Sequence, residues 1–187
     1  MPKLNKLAST KKGLSVEELK IVKNDKAPTN IVNRVDAKVI LPTITLYQPY
    51  AYFVIKGWKT IETRLHDRFK NLLGKRVAIH SAKKKIDYWN DISKNKYLTF
   101  EQMHEALDAI DSYKYDAKYM ERGYILGTAT VEATGWLNKT ATIYSKQALI
   151  DCQSTDRFGL WLTQVQPFAK PIEAKGKQGI WYSELAV

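Results

Sequence analysis

The sequence predicts an α+β domain built around a small, closed or partly closed β-sheet. Three observations predict this class. The chain contains five or six short runs of β-forming residues, it carries helix-start signals between those runs, and its 187 residues suit a single compact domain. Hydrophobic residues make up 44% of the chain, enough for one core. No apolar run approaches the roughly 18 residues of a membrane-spanning helix, so we expect no membrane partner.

The first 40 residues are predicted to form a basic, partly disordered arm. They carry nine Lys or Arg residues and four Asp or Glu residues, a net charge of +5. Within the arm, Ser15 to Glu18 matches a capping box and predicts one short helix, which Pro28 would interrupt. We therefore divide the chain into an arm, residues 1–40, and a domain, residues 41–187.

The first half of the domain is predicted as a strand, a helix and two further strands. Thr43 to Tyr47 alternates and is rich in β-forming residues, which predicts the first strand. Pro49 suits the first turn of a helix, and Gly57 suits its C-terminal stop. The helix and the two later strands are placed at Tyr50 to Lys56, Lys59 to Leu65 and Lys75 to His80.

The second half begins with a predicted helical insertion near residues 84–120. Thr99 to Gln102 is a capping box, and apolar residues follow at helical spacing from Phe100 to Ile110, so we expect that apolar stripe in the core. The later elements are a strand from Gly123 to Leu137, a helix from Tyr144 to Ile150, a strand from Phe158 to Val165, and a glycine-rich turn with a final strand from Ile172 to Trp181.

Charge and cysteine content restrict the function. The chain has 30 Lys or Arg and 19 Asp or Glu residues, a net charge of +11, which favours an anionic partner. Cys152 is the only cysteine, so an internal disulfide is excluded and a reducing, cytoplasmic location is expected. The histidines lack metal-ligand spacing, and neither a Walker A loop nor G-x-G-x-x-G occurs. We therefore expect no metal and no cofactor.

Three charged residues of the second predicted strand form the leading site candidate. Because side chains alternate along a strand, Glu62 and Arg64 share one face about 7 Å apart, and Lys59 lies just before them. Arg64 could bind a phosphate or a base edge, while Glu62 could accept from an amine or orient Lys59. The alternative is a purely structural ion pair between Glu62 and Arg64 on a solvated face.

Aromatic residues surround these charges. Basic residues among exposed rings are typical of surfaces that bind single-stranded nucleic acid, because bases stack on the rings while cations hold the phosphates. Tyr47 and Trp58 are the best candidates for exposure, and Phe53 is expected in the core. The neighbouring rings are Tyr47, Tyr50, Tyr52, Phe53 and Trp58.

Residues 57–64 satisfy the pattern G-x-K-x-x-E-x-R at every fixed position, and this segment resembles the signature of the ASCH domain, a family related to PUA domains. Five further segments resemble ASCH elements in the same order, so the resemblance covers residues 41–182. They are Leu46 to Ala51, Val77 to Lys83, Gly123 to Thr128, Phe158 to Leu162 and Lys175 to Trp181.

The resemblance implies a small PUA-like β-barrel with peripheral helices and a cleft at the G-x-K-x-x-E-x-R segment. The family is regarded mainly as RNA-binding, some members are ribonucleases, and a small bacterial branch is similar to an amidohydrolase of N4-acetylcytidine. That branch uses the motif lysine and carries threonine where this chain has Glu62.

The leading functional hypothesis is a module that binds single-stranded RNA, or an unpaired or modified nucleotide. The predicted binding residues are Tyr47, Gln48, Trp58, Lys59, Glu62, Arg64, His80, Ser81 and Lys83.

The first alternative is a hydrolase of RNA or nucleosides in which Lys59 and Glu62 are catalytic. Two observations would favour the hydrolase, a Lys59 deeply buried beside Arg64 and a closed pocket of single-base size, whereas an open groove would favour binding alone. The second alternative is a transcription-cofactor type of interaction module, with the basic arm contacting a protein partner.

Overall fold

The structure is a computed structural model that describes residues 38–84, 87–111 and 115–186. Residues 38–40, which the sequence analysis assigned to the arm, belong to the first strand. The rest of the arm and its predicted helix lie outside the described residues. No helix in the described ranges has both the length and the apolar character needed to cross a membrane.

Short helices are interspersed among the strands of the described chain, as the sequence predicts. Two 3-10 turns, Lys70–Leu72 and Tyr115–Met120, lie between them. The elements are β1 (Lys38–Leu46), α1 (Tyr50–Ile55), β2 (Ile61–Arg64), β3 (Arg76–Ser81), α2 (Tyr88–Ser93), α3 (Phe100–Asp111), β4 (Tyr124–Trp136), α4 (Ile143–Ala148), β5 (Phe158–Glu173) and β6 (Ile180–Ala186).

All of these strands belong to one mixed sheet with the order β2-β5-β4-β3-β1-β6. β1 and β3 run parallel, and every other neighbouring pair is antiparallel. The α+β class is therefore as predicted. Barrel closure is not confirmed, because the edge strands β2 and β6 do not pair with each other among the described residues, and β2 has only four residues with which to do so.

The segment between α1 and β2 confirms the predicted helix stop. Gly57 has a φ of 71°, the left-handed conformation that glycine adopts most readily at a helix end. Its N–H donates to the carbonyl of Val54, and the N–H groups of Trp58 and Lys59 both donate to the carbonyl of Phe53. These hydrogen bonds reverse the chain within three residues, so that the Lys59 side chain turns inward at the start of β2.

β5 is longer than the sequence predicts. The expected strand ends at Val165 because Pro167 cannot donate a hydrogen bond within a sheet. The observed strand continues to Glu173, with Pro167 opposite Gly127 at a point where the pairing of β4 and β5 shifts register. A proline is tolerated at such an irregularity because the regular ladder of hydrogen bonds is already interrupted there.

The main core lies around α1, whose residues 51–55 are all buried. The predicted helix α3 is confirmed, with Ala106 and Ala109 buried and Met103 partly buried against the core. Phe100 departs from the predicted core stripe, since it is 69% exposed in the first turn of the helix and its ring contacts His104 at an interplanar angle of 42°.

Candidate nucleic-acid interface

A cleft of about 690 Å³ opens at the carboxyl ends of the parallel strands β1 and β3, where Leu46 lies opposite Ser81. Its other wall is the loop of residues 175–179, because β6 pairs antiparallel with β1 and so begins beside the end of β1. Among the described residues, its lining carries five Lys or Arg side chains and no Asp or Glu. The five are Arg64, Lys83, Lys84, Lys175 and Lys177.

Arg64 extends from the edge strand β2 across to β1. Its Nη2 donates to the Thr45 carbonyl at 3.0 Å and lies 3.3 Å from Oε1 of Glu62. The guanidinium packs over the Phe69 ring, with Cζ 4.9 Å from the ring centroid. The side chain is 26% exposed and lines the cleft. One end of the guanidinium is therefore held by the protein, which orients the group toward an anionic ligand.

Glu62 and Lys59 lie behind Arg64. Oε2 of Glu62 is 3.5 Å from Nζ of Lys59, and this Nζ donates to the Ala148 carbonyl at 2.5 Å. Lys59 is only 2% exposed and does not line the cleft. Burial lowers the pKa of the Lys59 ammonium, and the neighbouring Glu62 carboxylate opposes that shift. The structure thus brings the three predicted charges together in a row, of which only Arg64 reaches the cleft.

His80 holds the 175–179 loop against the sheet. Its Nε2 lies 3.1 Å from the Ala174 carbonyl, its Nδ1 lies 3.2 Å from Oγ1 of Thr45, and its ring meets Trp181 edge-on. A Cβ added to Gly176 would overlap the imidazole, so the loop backbone packs directly on the ring. His80 lines the cleft but is 1% exposed. His80 therefore supports the 175–179 wall of the cleft, and both of its ring nitrogens already have hydrogen-bonding partners within the protein.

The burial of His80 predicts a pH-dependent stability. Burial lowers the pKa of His80 below its ordinary value of 6.5, so the unfolded chain binds the proton more readily than the folded protein does. The free energy of unfolding should therefore fall as the pH drops below 6.5, by at most about 1.4 kcal/mol per pH unit from this group. Urea unfolding between pH 7.5 and 5 measures the slope, and His80→Gln should make it shallower. Equal slopes in the two proteins would contradict the assignment.

Two further predicted residues line the cleft. Tyr47 is 51% exposed at the end of β1, and Nζ of Lys84 lies 5.8 Å from the centroid of its ring. An exposed ring beside a cation can stack a base while the cation meets the adjoining phosphate. The Lys83 side chain is 65% exposed, with its Nζ 3.8 Å from an oxygen of Glu173.

Besides Lys59 and Glu62, three more predicted binding residues do not reach the cleft surface. Gln48 is fully buried, and its amide donates to the carbonyls of Tyr119 and Glu121 while its Oε1 accepts from the N–H of Tyr52. Ser81 is equally buried, with its hydroxyl bonded to the backbone of Tyr124. Trp58 is half-buried and packs on the rings of Tyr52 and Phe53. Their polar and aromatic groups serve the framework around the cleft.

The sequence analysis did not include three of the five cleft cations among the predicted binding residues. These three are Lys84, Lys175 and Lys177. Lys175 and Lys177 alternate with glycine in a predicted turn, a pattern that could have marked them as candidates for phosphate contact. Lys84 carries no comparable signal, because it follows Lys83 in a run of lysines.

A metal centre finds no support in the described ranges, where no three His, Cys, Asp or Glu side chains gather at ligand distance. Cys152 is buried beneath α4, with its thiol near the Tyr144 carbonyl.

Comparison with known proteins finds similar solved structures. A scan against protein-family models finds none that matches. Among solved structures, the chain is similar to the crystal structure of ASCH from Zymomonas mobilis, with a TM-score of 0.46 and 15% identity over 76% of this chain and 86% of that chain. Variants of that protein match at TM-scores of 0.44 and 0.43. These neighbours are ASCH proteins.

The ASCH-like segment of the sequence is the part of the chain that supplies the row of charges. The lysine, glutamate and arginine of its G-x-K-x-x-E-x-R pattern are Lys59, Glu62 and Arg64. Its glycine, Gly57, makes the turn that buries the lysine.

Proposed function

We propose that this protein binds single-stranded nucleic acid, RNA in the first instance, in the cleft at the ends of β1 and β3. One observation carries the proposal: five cationic side chains and an exposed tyrosine surround a single cleft of about 690 Å³. Phosphates release counterions when cations neutralise them, which supplies affinity without regard to sequence. The aromatic ring adds stacking, which every base can provide.

The positions of the cleft side chains suggest which of them contact phosphates and which contact bases. Arg64 is held in a fixed orientation by the contacts of its Nη2 with Glu62 and the Thr45 carbonyl, so it can direct a charge-assisted hydrogen bond to a phosphate or to a base edge. Lys175 and Lys177 lie on the 175–179 loop, and their flexible side chains can reach phosphates in varied positions. Tyr47 and Lys84 then form the stacking platform.

A hydrolase of RNA or nucleosides is the second candidate, because Lys59 is buried and its pKa is lowered as a catalytic lysine requires. Two features favour binding instead. The cleft has solvent-exposed side chains on its lining, Tyr47 and Lys83, and Nζ of Lys59 lies behind Glu62, donating to a backbone carbonyl. Catalysis through Lys59 and Glu62 would need the row of charges to open toward the ligand.

A salt series tests the binding proposal. Fluorescence anisotropy of a labelled single-stranded RNA, titrated in the presence of a chelator, should show affinity that falls steeply with salt. Five phosphate contacts correspond to a log–log slope of about −3.5 for a single strand. The double variant Lys175→Ala/Lys177→Ala should reduce that slope by about 1.4.

The matched control for this double variant is Lys75→Ala/Lys146→Ala, which removes two exposed lysines that do not line the cleft. Its slope should stay close to that of the parent protein. An equal loss in both double variants would show that binding follows net charge rather than the cleft. Failure of the folded protein to bind even at low salt would overturn the proposal, and cleavage of the RNA on a denaturing gel would favour the hydrolase.

A further inference from the structure

A second recess of about 420 Å³ adjoins the cleft, and Lys83 lines both. Its other lining residues are Glu121, Arg122 and Tyr124, at the turn that leads into β4. The recess therefore combines one aromatic ring, one guanidinium and one carboxylate. None of these residues was among the predicted binding residues.

The ridge between the two depressions is the side chain of Lys83. Its aliphatic stem lies against Gly123, where an added Cβ would come within 2.6 Å of Cε. Gly123 has a φ of 83°, and its N–H donates to the Ser81 carbonyl at 2.8 Å, which ties the turn to β3. Nη1 of Arg122 donates to the Lys83 carbonyl at 3.2 Å. The two depressions are thus joined through one lysine and its backbone.

The ammonium of Lys83 is available to a ligand from either side. Its ion pair with Glu173 is 3.8 Å long, and the two side chains are 65% and 70% exposed. Exposed ion pairs of this kind contribute little, so exchanging the carboxylate for a phosphate would cost the protein little. A phosphate at this point would lie between the cleft and the recess.

The recess suits a phosphate less well than the cleft does. Its lining carries two cations, Lys83 and Arg122, and one carboxylate, Glu121, whereas the cleft lining has five cations and no acid among the described residues. The Tyr124 ring, which lines the recess together with the Arg122 guanidinium, offers an aromatic surface for stacking. The Glu121 carboxylate can accept a hydrogen bond from an N–H group of a base.

We propose that this recess is a second nucleotide subsite, so that the ligand is an oligonucleotide with at least two consecutive nucleotides. One base lies in the cleft beside Tyr47, the linking phosphate lies on Lys83, and the next base lies against Tyr124 and Arg122. This inference rests on the proposed function, because it extends the same binding site.

Ligand length tests the inference directly. Uridine monophosphate, the dinucleotide UpU and a five-nucleotide oligouridine would compete with the labelled RNA at one fixed salt concentration. UpU should compete at least about tenfold better than the mononucleotide, since one added base contact by stacking is of that order. Arg122→Ala should remove most of that advantage while leaving competition by the mononucleotide unchanged.

The matched control is Arg76→Ala, which removes an arginine from the opposite end of β3, where it contacts Gln166 and Thr130. It should leave the advantage of UpU intact. Tyr124→Leu provides a second probe, because the hydrogen bonds to Ser81 involve only the backbone of residue 124.

The outcomes separate the two proposals. Equal competition by the mononucleotide and UpU, with labelled RNA still bound, would overturn the second subsite and leave the cleft proposal standing. An equal loss of affinity for both competitors in Arg122→Ala would also overturn it, since that is the signature of general electrostatics. Failure of the parent protein to bind the labelled RNA would overturn both proposals.

Discussion

Arg64→Ala is expected to weaken the binding of single-stranded RNA by about 10- to 100-fold while the protein stays folded. The physical reason is that a hydrogen bond to a charged group contributes about 1.5–3 kcal/mol, and Arg64 is the one cleft cation that the protein orients with a carboxylate and a carbonyl. The lysines of the cleft bring charge without a fixed direction. Anisotropy titrations at constant salt, with thermal unfolding as the check on folding, measure the effect.

Two companion variants sharpen this experiment. Arg64→Lys keeps the charge but loses the planar fork, so it should recover only a small part of the affinity. Arg76→Ala removes an arginine away from the cleft and should leave affinity near that of the parent. If Arg64→Ala binds within twofold of the parent, the cleft is not the binding site.

Lys59→Ala is expected to lower the free energy of unfolding by about 3–5 kcal/mol. The substitution leaves the buried carboxylate of Glu62 with Arg64 as its remaining cation, opens a cavity in place of a side chain that is 2% exposed, and removes the hydrogen bond to the Ala148 carbonyl. The sequence pattern predicts that both Lys59→Ala and Arg64→Ala fold normally. Burial changes that expectation for Lys59 alone. Urea unfolding at pH 7 measures the loss.

A double variant separates the charge from the cavity. Lys59→Met keeps most of the buried volume but leaves Glu62 without the ammonium, and Lys59→Met/Glu62→Gln removes both charges. The double variant should be more stable than Lys59→Met if the main cost is the loss of the ammonium from beside the Glu62 carboxylate. If Lys59→Met is as stable as the parent, the buried ion pair does not contribute to stability and the lysine is held for another purpose.

Within the row Lys59–Glu62–Arg64, the substitution of Arg64 is expected to reduce RNA affinity, and the substitution of Lys59 is expected to reduce stability. Loss of Arg64 removes a group that faces the ligand, whereas loss of Lys59 acts on the frame that holds Glu62 and, through it, Arg64. Reduced affinity in a Lys59 variant would therefore not by itself identify a contact with the ligand. Affinity measured at a temperature where the variant is fully folded distinguishes the two roles.

Local patterns in the sequence determined much of what the structure contains. Pro49 and Gly57 bracket α1, because a proline suits a helix start and a glycine suits its left-handed end. Alternation along β2 placed Glu62 and Arg64 on one side, where they contact each other at 3.3 Å. These features depend on a few neighbouring residues, so they can be read without knowing what packs against them.

Sheet pairing, which no local pattern encodes, decided where the cleft lies. The 175–179 loop meets the end of β1 only because β6 returns antiparallel to β1, with Ile180 opposite Ile44. That pairing brings Lys175 and Lys177 from more than a hundred residues away to the same cleft as Tyr47 and Arg64.

Packing likewise decided which candidate side chains face the ligand. Lys59 is buried because the end of α4 covers it, while Gln48 and Ser81 bond to backbone groups of the segment before β4 and the start of that strand. Residue type and spacing determined which chemistry this chain carries and which neighbours share a face. Exposure and long-range proximity were decided only by the tertiary structure, since both depend on which distant segment covers each side chain.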